Sequence, residues 1–146
     1  MKLWIDLQGA QTESRFRGIG RYTVSFVRAL AAAAGQHEIG YVVNSALVDH
    51  SQALVAELTA GTGPRVAIFD PGGRVAQQYA DNDHRARVAE LVREAFIADL
   101  RPDVVLVSSL VEGWLDDAVT SIGAFEPSLP TASTFYDAIP LLHSDD

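Results

Sequence analysis

Apolar residues along the chain fall into short runs that alternate with stripes of helical spacing. Lys2 to Leu7 reads as a strand, with Leu3, Trp4, Ile5 and Leu7 apolar and Asp6 near its end. A polar, glycine-bearing loop is expected from Gln8 to Gly20. Ile19, Thr23, Phe26, Val27, Leu30, Ala31 and Ala34 then recur at the spacing of a helix with one buried face, and Gly35 closes it as a C′ residue would. Ile39 to Val43 is a second strand. Ser51 is placed to cap a short helix from Gln52 to Leu58, which Gly61, Gly63 and Pro64 stop. Val66 to Phe69 is a third strand, ended by Asp70-Pro71-Gly72-Gly73. A long helix is expected from His84 to Leu100, capped by Asp83, with Val88, Leu91, Val92, Ala95, Phe96 and Leu100 inward. Arg85, Arg87, Glu90, Arg93 and Glu94 are then assigned to water. Val104 to Val107 is a fourth strand, Leu115 to Ile122 a short helix, and Thr131 to Tyr136 a fifth strand.

Strand and helix alternate throughout, which is the sequence form of repeated βαβ units. The unbroken apolar run Val104–Val107 is the habit of a strand covered on both faces. The expectation is an α/β, Rossmann-like three-layer domain with a mostly parallel sheet, occupying residues 1–146. The chain stops in the loop after its last strand, where a further helix is expected, so the reading anticipates a larger protein.

Composition narrows the chemistry. With 146 residues, 48% hydrophobic and 21% charged, the chain suits one domain with a real core. No apolar run reaches the ~20 residues of a membrane helix. Lys2 and Asp6 interrupt the first apolar stretch, which is not the pattern of a signal peptide, and a cytoplasmic location is expected. Cysteine is absent, so thiolate metal sites and disulfides are excluded. His37, His50, His84 and His143 lack ligand spacing, and Asp81-Asn82-Asp83, although Asp-x-Asp, stands where a helix cap is needed. No metal and no other cofactor are expected. Ser108-Ser109 lacks a nucleophile elbow. The net charge of −8 opposes nucleic-acid binding, which needs a basic face.

Against that acidic balance, Arg15, Arg17 and Arg21 crowd into seven positions with Glu13 the only acid nearby. They form either a site for a small anion or a solvated loop. Ligands of open parallel sheets bind beyond the strand carboxyl ends, so the segment after the first strand is the place to look. Gly18 and Gly20 precede a helix, where free N–H groups and the helix dipole favour phosphate; alternatively they serve a turn needing positive φ. Gly18-Ile19-Gly20-Arg21-Tyr22-Thr23 lacks the third glycine of a dinucleotide fingerprint, and no Gly-Lys-Ser/Thr marks a P-loop.

Gln11-Thr12-Glu13-Ser14-Arg15-Phe16-Arg17-Gly18-Ile19-Gly20-Arg21-Tyr22, with Ser108-Ser109-Leu110-Val111-Glu112-Gly113-Trp114 and Tyr136-Asp137-Ala138-Ile139-Pro140-Leu141-Leu142, closely resembles the N-terminal domain of GT-B fold glycosyltransferases. Within these it is most similar to the retaining group 1, family 4 enzymes, including mannosyl- and rhamnosyl-type transferases of surface polysaccharides. The likeness spans nearly the whole chain. It implies one half of a GT-B fold, the acceptor-side half, with a C-terminal donor-binding domain absent from this chain. It further implies a nucleotide-diphosphate sugar as donor, a glycan acceptor, and peripheral association of the full enzyme with the inner face of the membrane. By position, Gly18, Gly20, Arg17 and Arg21 match the donor-phosphate loop. Asp137 matches the aspartate of a His-Asp pattern in which Tyr136 replaces histidine, and these two are the catalytic candidates. Arg15 and Glu112 are the acceptor-side candidates. The 146 residues alone are expected to be inactive. The competing reading is a stand-alone flavodoxin-like binding or regulatory module.

Overall fold

The computed structural model describes residues 1–60 and 63–136. Five strands, β1 (Lys2–Asp6), β2 (Glu38–Asn44), β3 (Arg65–Phe69), β4 (Val104–Val107) and β5 (Thr131–Ser133), form one all-parallel sheet in the order β3-β2-β1-β4-β5. The helices are α1 (Gln8–Gln11), α2 (Gly18–Ala32), α3 (Gln52–Leu58) and α4 (Asp83–Asp99), with 3₁₀ turns at Glu13–Phe16, Ser45–His50 and Ala80–Asn82. The Rossmann-like α/β architecture expected from the alternation is therefore present.

Strand periodicity divides the core into two layers. Register pairs Leu3 with Ile39 and Ile5 with Tyr41, and these residues pack with Leu7, Val27 and Val43 against α2 and α3. The alternate residues Trp4, Val42, Val105 and Val107 pack on the opposite face with Ala89 and Ile97 of α4. Gly40 keeps this second layer closed, since a Cβ there would lie 2.7 Å from the Trp4 ring.

Four details differ from the sequence reading, each for a local reason. The segment from Gln8 to Gly20 is not a loop, because α1 and a 3₁₀ turn fill it and α2 begins at Gly18. The α4 helix is rotated from its expected face: Val88 and Val92 are exposed, whereas Arg93 and Glu94 are buried with Ala89 and Ile97. Residues 115–122 form no helix. Asp116 Oδ1 accepts the Ala118 N–H (3.0 Å), Asp117 Oδ1 accepts those of Val75 and Ala76, and Gln8 engages both backbone groups of Val119. These competing acceptors and donors remove the groups a helical ladder would need. Finally, β5 ends at Ser133 because its partner β4 ends at Val107, so Tyr136 lies beyond the strand.

The expected caps are also reassigned. Asp83 is the first residue of α4, and Asn82 precedes it with its side chain donating to the Ala76 carbonyl (3.0 Å). Ser51 stands at the N-cap of α3, but its hydroxyl donates back to the carbonyls of Leu47 and Val48. Gly35 does take the left-handed conformation (φ 56°), one residue beyond C′, and Phe26 of α2 is exposed rather than inward.

What turns Arg93 inward is Asp6. The strand places this carboxylate on the α4 face, where it is 1% exposed, and a buried unpaired charge would be very costly. Arg93, equally buried, donates to Asp6 Oδ2 through Nε (2.8 Å) and Nη2, and to the Ser121 carbonyl through Nη1 (3.2 Å). Removing one partner leaves the other charged and dry. Asp6→Ala is expected to lower the unfolding free energy by about 3–5 kcal/mol. Pairing it with Arg93→Met should cost clearly less than the sum of the single changes, as read by a urea-denaturation double-mutant cycle.

Candidate functional site

The chain runs from β1 outward to β2 and β3, then crosses to the other side of β1 to form β4 and β5. Between β1 and β4 the strand order reverses, and in open parallel sheets such a switch point marks the crevice at the strand carboxyl ends. Here the loops after these two strands meet across it, since a Cβ on Gly9 would lie 2.9 Å from Ser109 Cβ. The crevice floor is a buried polar network. Asp6 accepts the backbone N–H of Gln8 (2.9 Å) and its side-chain amide (3.0 Å). Gln8 bonds the carbonyl and N–H of Val119 (2.7 and 2.8 Å) and accepts from Asn44 Nδ2 (2.8 Å). Gln11, one helical turn on, clasps both backbone groups of Asn44 and donates to Ser51 Oγ (2.9 Å). The ends of β1 and β2 and the loop after β4 are thereby fixed to one another.

Glu112 closes the crevice above this floor. Its Oε2 accepts hydrogen bonds from Thr12 Oγ1 (2.9 Å) and Ser14 Oγ (3.2 Å), while Thr12 Oγ1 also accepts the Ser14 N–H (3.2 Å). Among the described residues its Oε1 is buried without a hydrogen-bond partner. Burial pushes the Glu112 carboxyl above its ordinary range; the Thr12, Ser109 and Ser14 hydroxyls pull it partly back, and Asp116 adds to the rise. A proton on Glu112 would give its bare oxygen something to donate. Burial likewise raises Asp116, with the Ala118 N–H opposing and the charges of Asp117 and Glu13 reinforcing.

The arginines divide into two kinds. Arg15 is committed to its own turn: Nη1 donates to the carbonyls of Gln11 (3.2 Å) and Thr12 (3.1 Å), Nη2 meets Glu13 (3.4 Å), and the guanidinium lies 4.2 Å from the Phe16 ring centre. Arg17 and Arg21 are exposed at the start of α2, Arg21 donating to the Phe16 carbonyl (3.3 Å). The glycines also separate. Neither has positive φ, so the strained-turn reading does not hold. A Cβ on Gly18 would meet nothing, leaving the N-terminus of α2 open. A Cβ on Gly20 would lie 2.2 Å from Arg15 Cα and 2.6 Å from Ser14 O, so Gly20 lets the helix pack on the preceding turn.

Tyr136 joins the site from β5. Its hydroxyl is 3.2 Å from Thr23 Oγ1 and its ring meets Tyr22 edge-on at 5.6 Å. Burial raises the Tyr136 hydroxyl, Thr23 lowers it, and Tyr22 and the Glu112 charge raise it further. Asp137 lies outside the described residues. Gly18, Arg17, Arg21, Glu112 and Tyr136 thus share the carboxyl end of the sheet. Exposed Leu110, Val111, Trp114 and Leu115 crown the loop after β4. Sequence reasoning missed Gln8, Gln11, Thr12, Ser14, Asn44 and Arg93. Polar residues at the ends of adjacent buried strands, Asp6 and Asn44, were the available signal.

No family model and no solved structure matches the chain. Three curated relatives do, each a "Serotype-specific mannosyltransferase WbdA" of Escherichia coli. One is 33% identical over 147 residues, covering 99% of this chain and 18% of the relative. The other two are 29% identical over 120 residues, 81% of this chain and 15% of each relative. The chain therefore spans less than a fifth of the length of these relatives. These likenesses support a glycosyltransferase region.

The two glycines give opposite expected responses. Gly18→Ala should raise stability by about 0.4–1 kcal/mol through the unfolded chain. Gly20→Ala should lower it by about 1–3 kcal/mol through overpacking, and thermal unfolding of both reads the contrast. Glu112 yields a pH expectation. Because its folded carboxyl titrates above the ordinary range, its contribution to stability is present below that range and lost as pH rises through the raised value. Glu112→Gln should therefore flatten that decline, as seen in urea midpoints collected from about pH 4 to about pH 7.

Proposed function

We propose that this chain is the acceptor-side, N-terminal half of a retaining GT-B glycosyltransferase of the group 1, family 4 type. The observation that carries the reading is similarity to mannosyltransferases across almost the whole chain, combined with an open helix N-terminus at the strand reversal. The donor is a nucleotide-diphosphate hexose of mannose or rhamnose type, and the acceptor is a glycan. A second domain, not contained in these residues, holds the nucleotide. The same proposal places the full enzyme in the cytoplasm at the inner face of the membrane.

In the reaction, the bond between the anomeric carbon and the diphosphate oxygen breaks, and an acceptor hydroxyl oxygen bonds to that carbon with retained configuration. The hydroxyl proton is released and the diphosphate leaves with its negative charge. The free N–H groups at the start of α2, beside Gly18, together with Arg17 and Arg21, are positioned to meet that charge. Glu112 lies across the same crevice, on the side assigned to the acceptor.

Transfer is expected from the chain joined to a donor-binding domain, and none from the 146 residues alone. In the joined enzyme Arg17→Ala should slow transfer by about one to two decades, the worth of one charge-assisted hydrogen bond. Its melting temperature should stay at the wild-type value, because Arg17 is exposed. A radiolabelled panel of nucleotide sugars measures both; turnover by the isolated chain would sink the two-domain reading.

A further inference from the structure

On α2 the residues that packing requires are Gly20, Thr23 and Val27, which are buried. Tyr22 and Phe26 lie off that face, 48% and 38% exposed, so the core does not account for them. Their rings nonetheless form an ordered strip, nearly parallel (6°) with centres 5.8 Å apart. Tyr136 abuts the strip edge-on, and its hydroxyl is held at Thr23. Two exposed rings, braced by the half-buried Tyr136, therefore face outward.

We infer that the Tyr22–Phe26–Tyr136 surface is a stacking platform for pyranose rings of the glycan acceptor. This rests on the proposed glycosyltransferase reading and extends it to the manner of acceptor recognition. A pyranose has one apolar C–H face and a rim of hydroxyls. The strip offers uncharged aromatic surface to the former, and the polar crevice lies alongside for the latter. Because the rings already brace one another, little side-chain freedom is lost on binding. Tyr136 follows β5 at the carboxyl end of the sheet, which sets the platform on the same end of the domain as Glu112. One glycan can therefore lie on the rings with a terminal hydroxyl directed at the crevice.

The test titrates mannotriose into the 146-residue chain and follows aromatic ring signals by NMR, with no donor present. Saturable shifts are expected at Tyr22, Phe26 and Tyr136. Tyr22→Leu, which keeps apolar area and loses the π face, should bind about tenfold more weakly with an unchanged amide spectrum, while Tyr22→Phe should bind as wild type. Absence of saturable ring shifts overturns the platform. So does wild-type binding by Tyr22→Leu, or ring shifts that follow protein concentration rather than glycan, which would mark a surface for a second copy. The enzyme reading is read separately. Glycan binding without sugar transfer by the joined enzyme would sink that reading and leave the platform standing. Transfer with an unchanged acceptor KM in Tyr22→Leu would sink the platform and leave the enzyme.

Discussion

The carboxylate of Asp6 is the constraint from which the crevice is built. A strand that ends under α4 delivers this charge to a place without water, and only a full set of donors makes it tolerable. Arg93 supplies two of them, Gln8 another two, and each partner then carries the constraint further. Arg93 fixes the Ser121 carbonyl, which anchors the segment that leads toward β5. Gln8 fixes Val119 on one side and Asn44 on the other. The rotation of α4, the missing helix after residue 115 and the geometry of the crevice floor are consequences of one buried charge. Glu94 extends the same logic. Burial alone would raise its carboxyl, but the backbone N–H of Phe125 (2.6 Å) and the Ser121 hydroxyl (2.7 Å) hold it low.

This rigid floor explains why the groups above it differ in availability. Arg15 and Gly20 are both part of the packing between the 3₁₀ turn and α2, one bracing the turn and the other admitting it. Arg17, Gly18 and Arg21 stand on the outward side of that contact. A segment that looked like one basic, glycine-rich loop is thus two layers, an inner one that shapes the helix entry and an outer one that is open to a ligand.

The alternation of apolar runs was enough to read the strand and helix order, since the cores of β1, β2 and β4 are covered on both faces and leave an uninterrupted signature. The resemblance carried by residues 11–22 likewise directed attention to the carboxyl end of the sheet. What periodicity could not reveal was the face of α4, because a charged residue counts as outward in any hydrophobic stripe. Arg93 is inward for a reason located 87 residues away. The expected helix at 115–122 failed similarly, since Asp117 is drawn to the N–H of Val75 and Val119 to the side chain of Gln8, partners 42 and 111 residues away. Long-range polar pairing is specific to three-dimensional neighbours and has no period. Gly20 illustrates the same limit: glycine beside a helix start reads as freedom for a ligand, whereas its neighbour is the backbone of Arg15.

Charge at the crevice resolves an apparent conflict between a net charge of −8 and the proposed diphosphate donor. Glu112 and Asp116 are the carboxyls set closest around the loops of the strand reversal, and burial raises both. Burial thus works against their charged forms. The cations that remain exposed, Arg17 and Arg21, sit at the positive end of a 15-residue helix. The positive end of the helix dipole adds to their fields. A site for an anionic leaving group needs local positive potential rather than a basic protein. In the proposed function the exposed Arg17 and Arg21 at the start of α2 supply it.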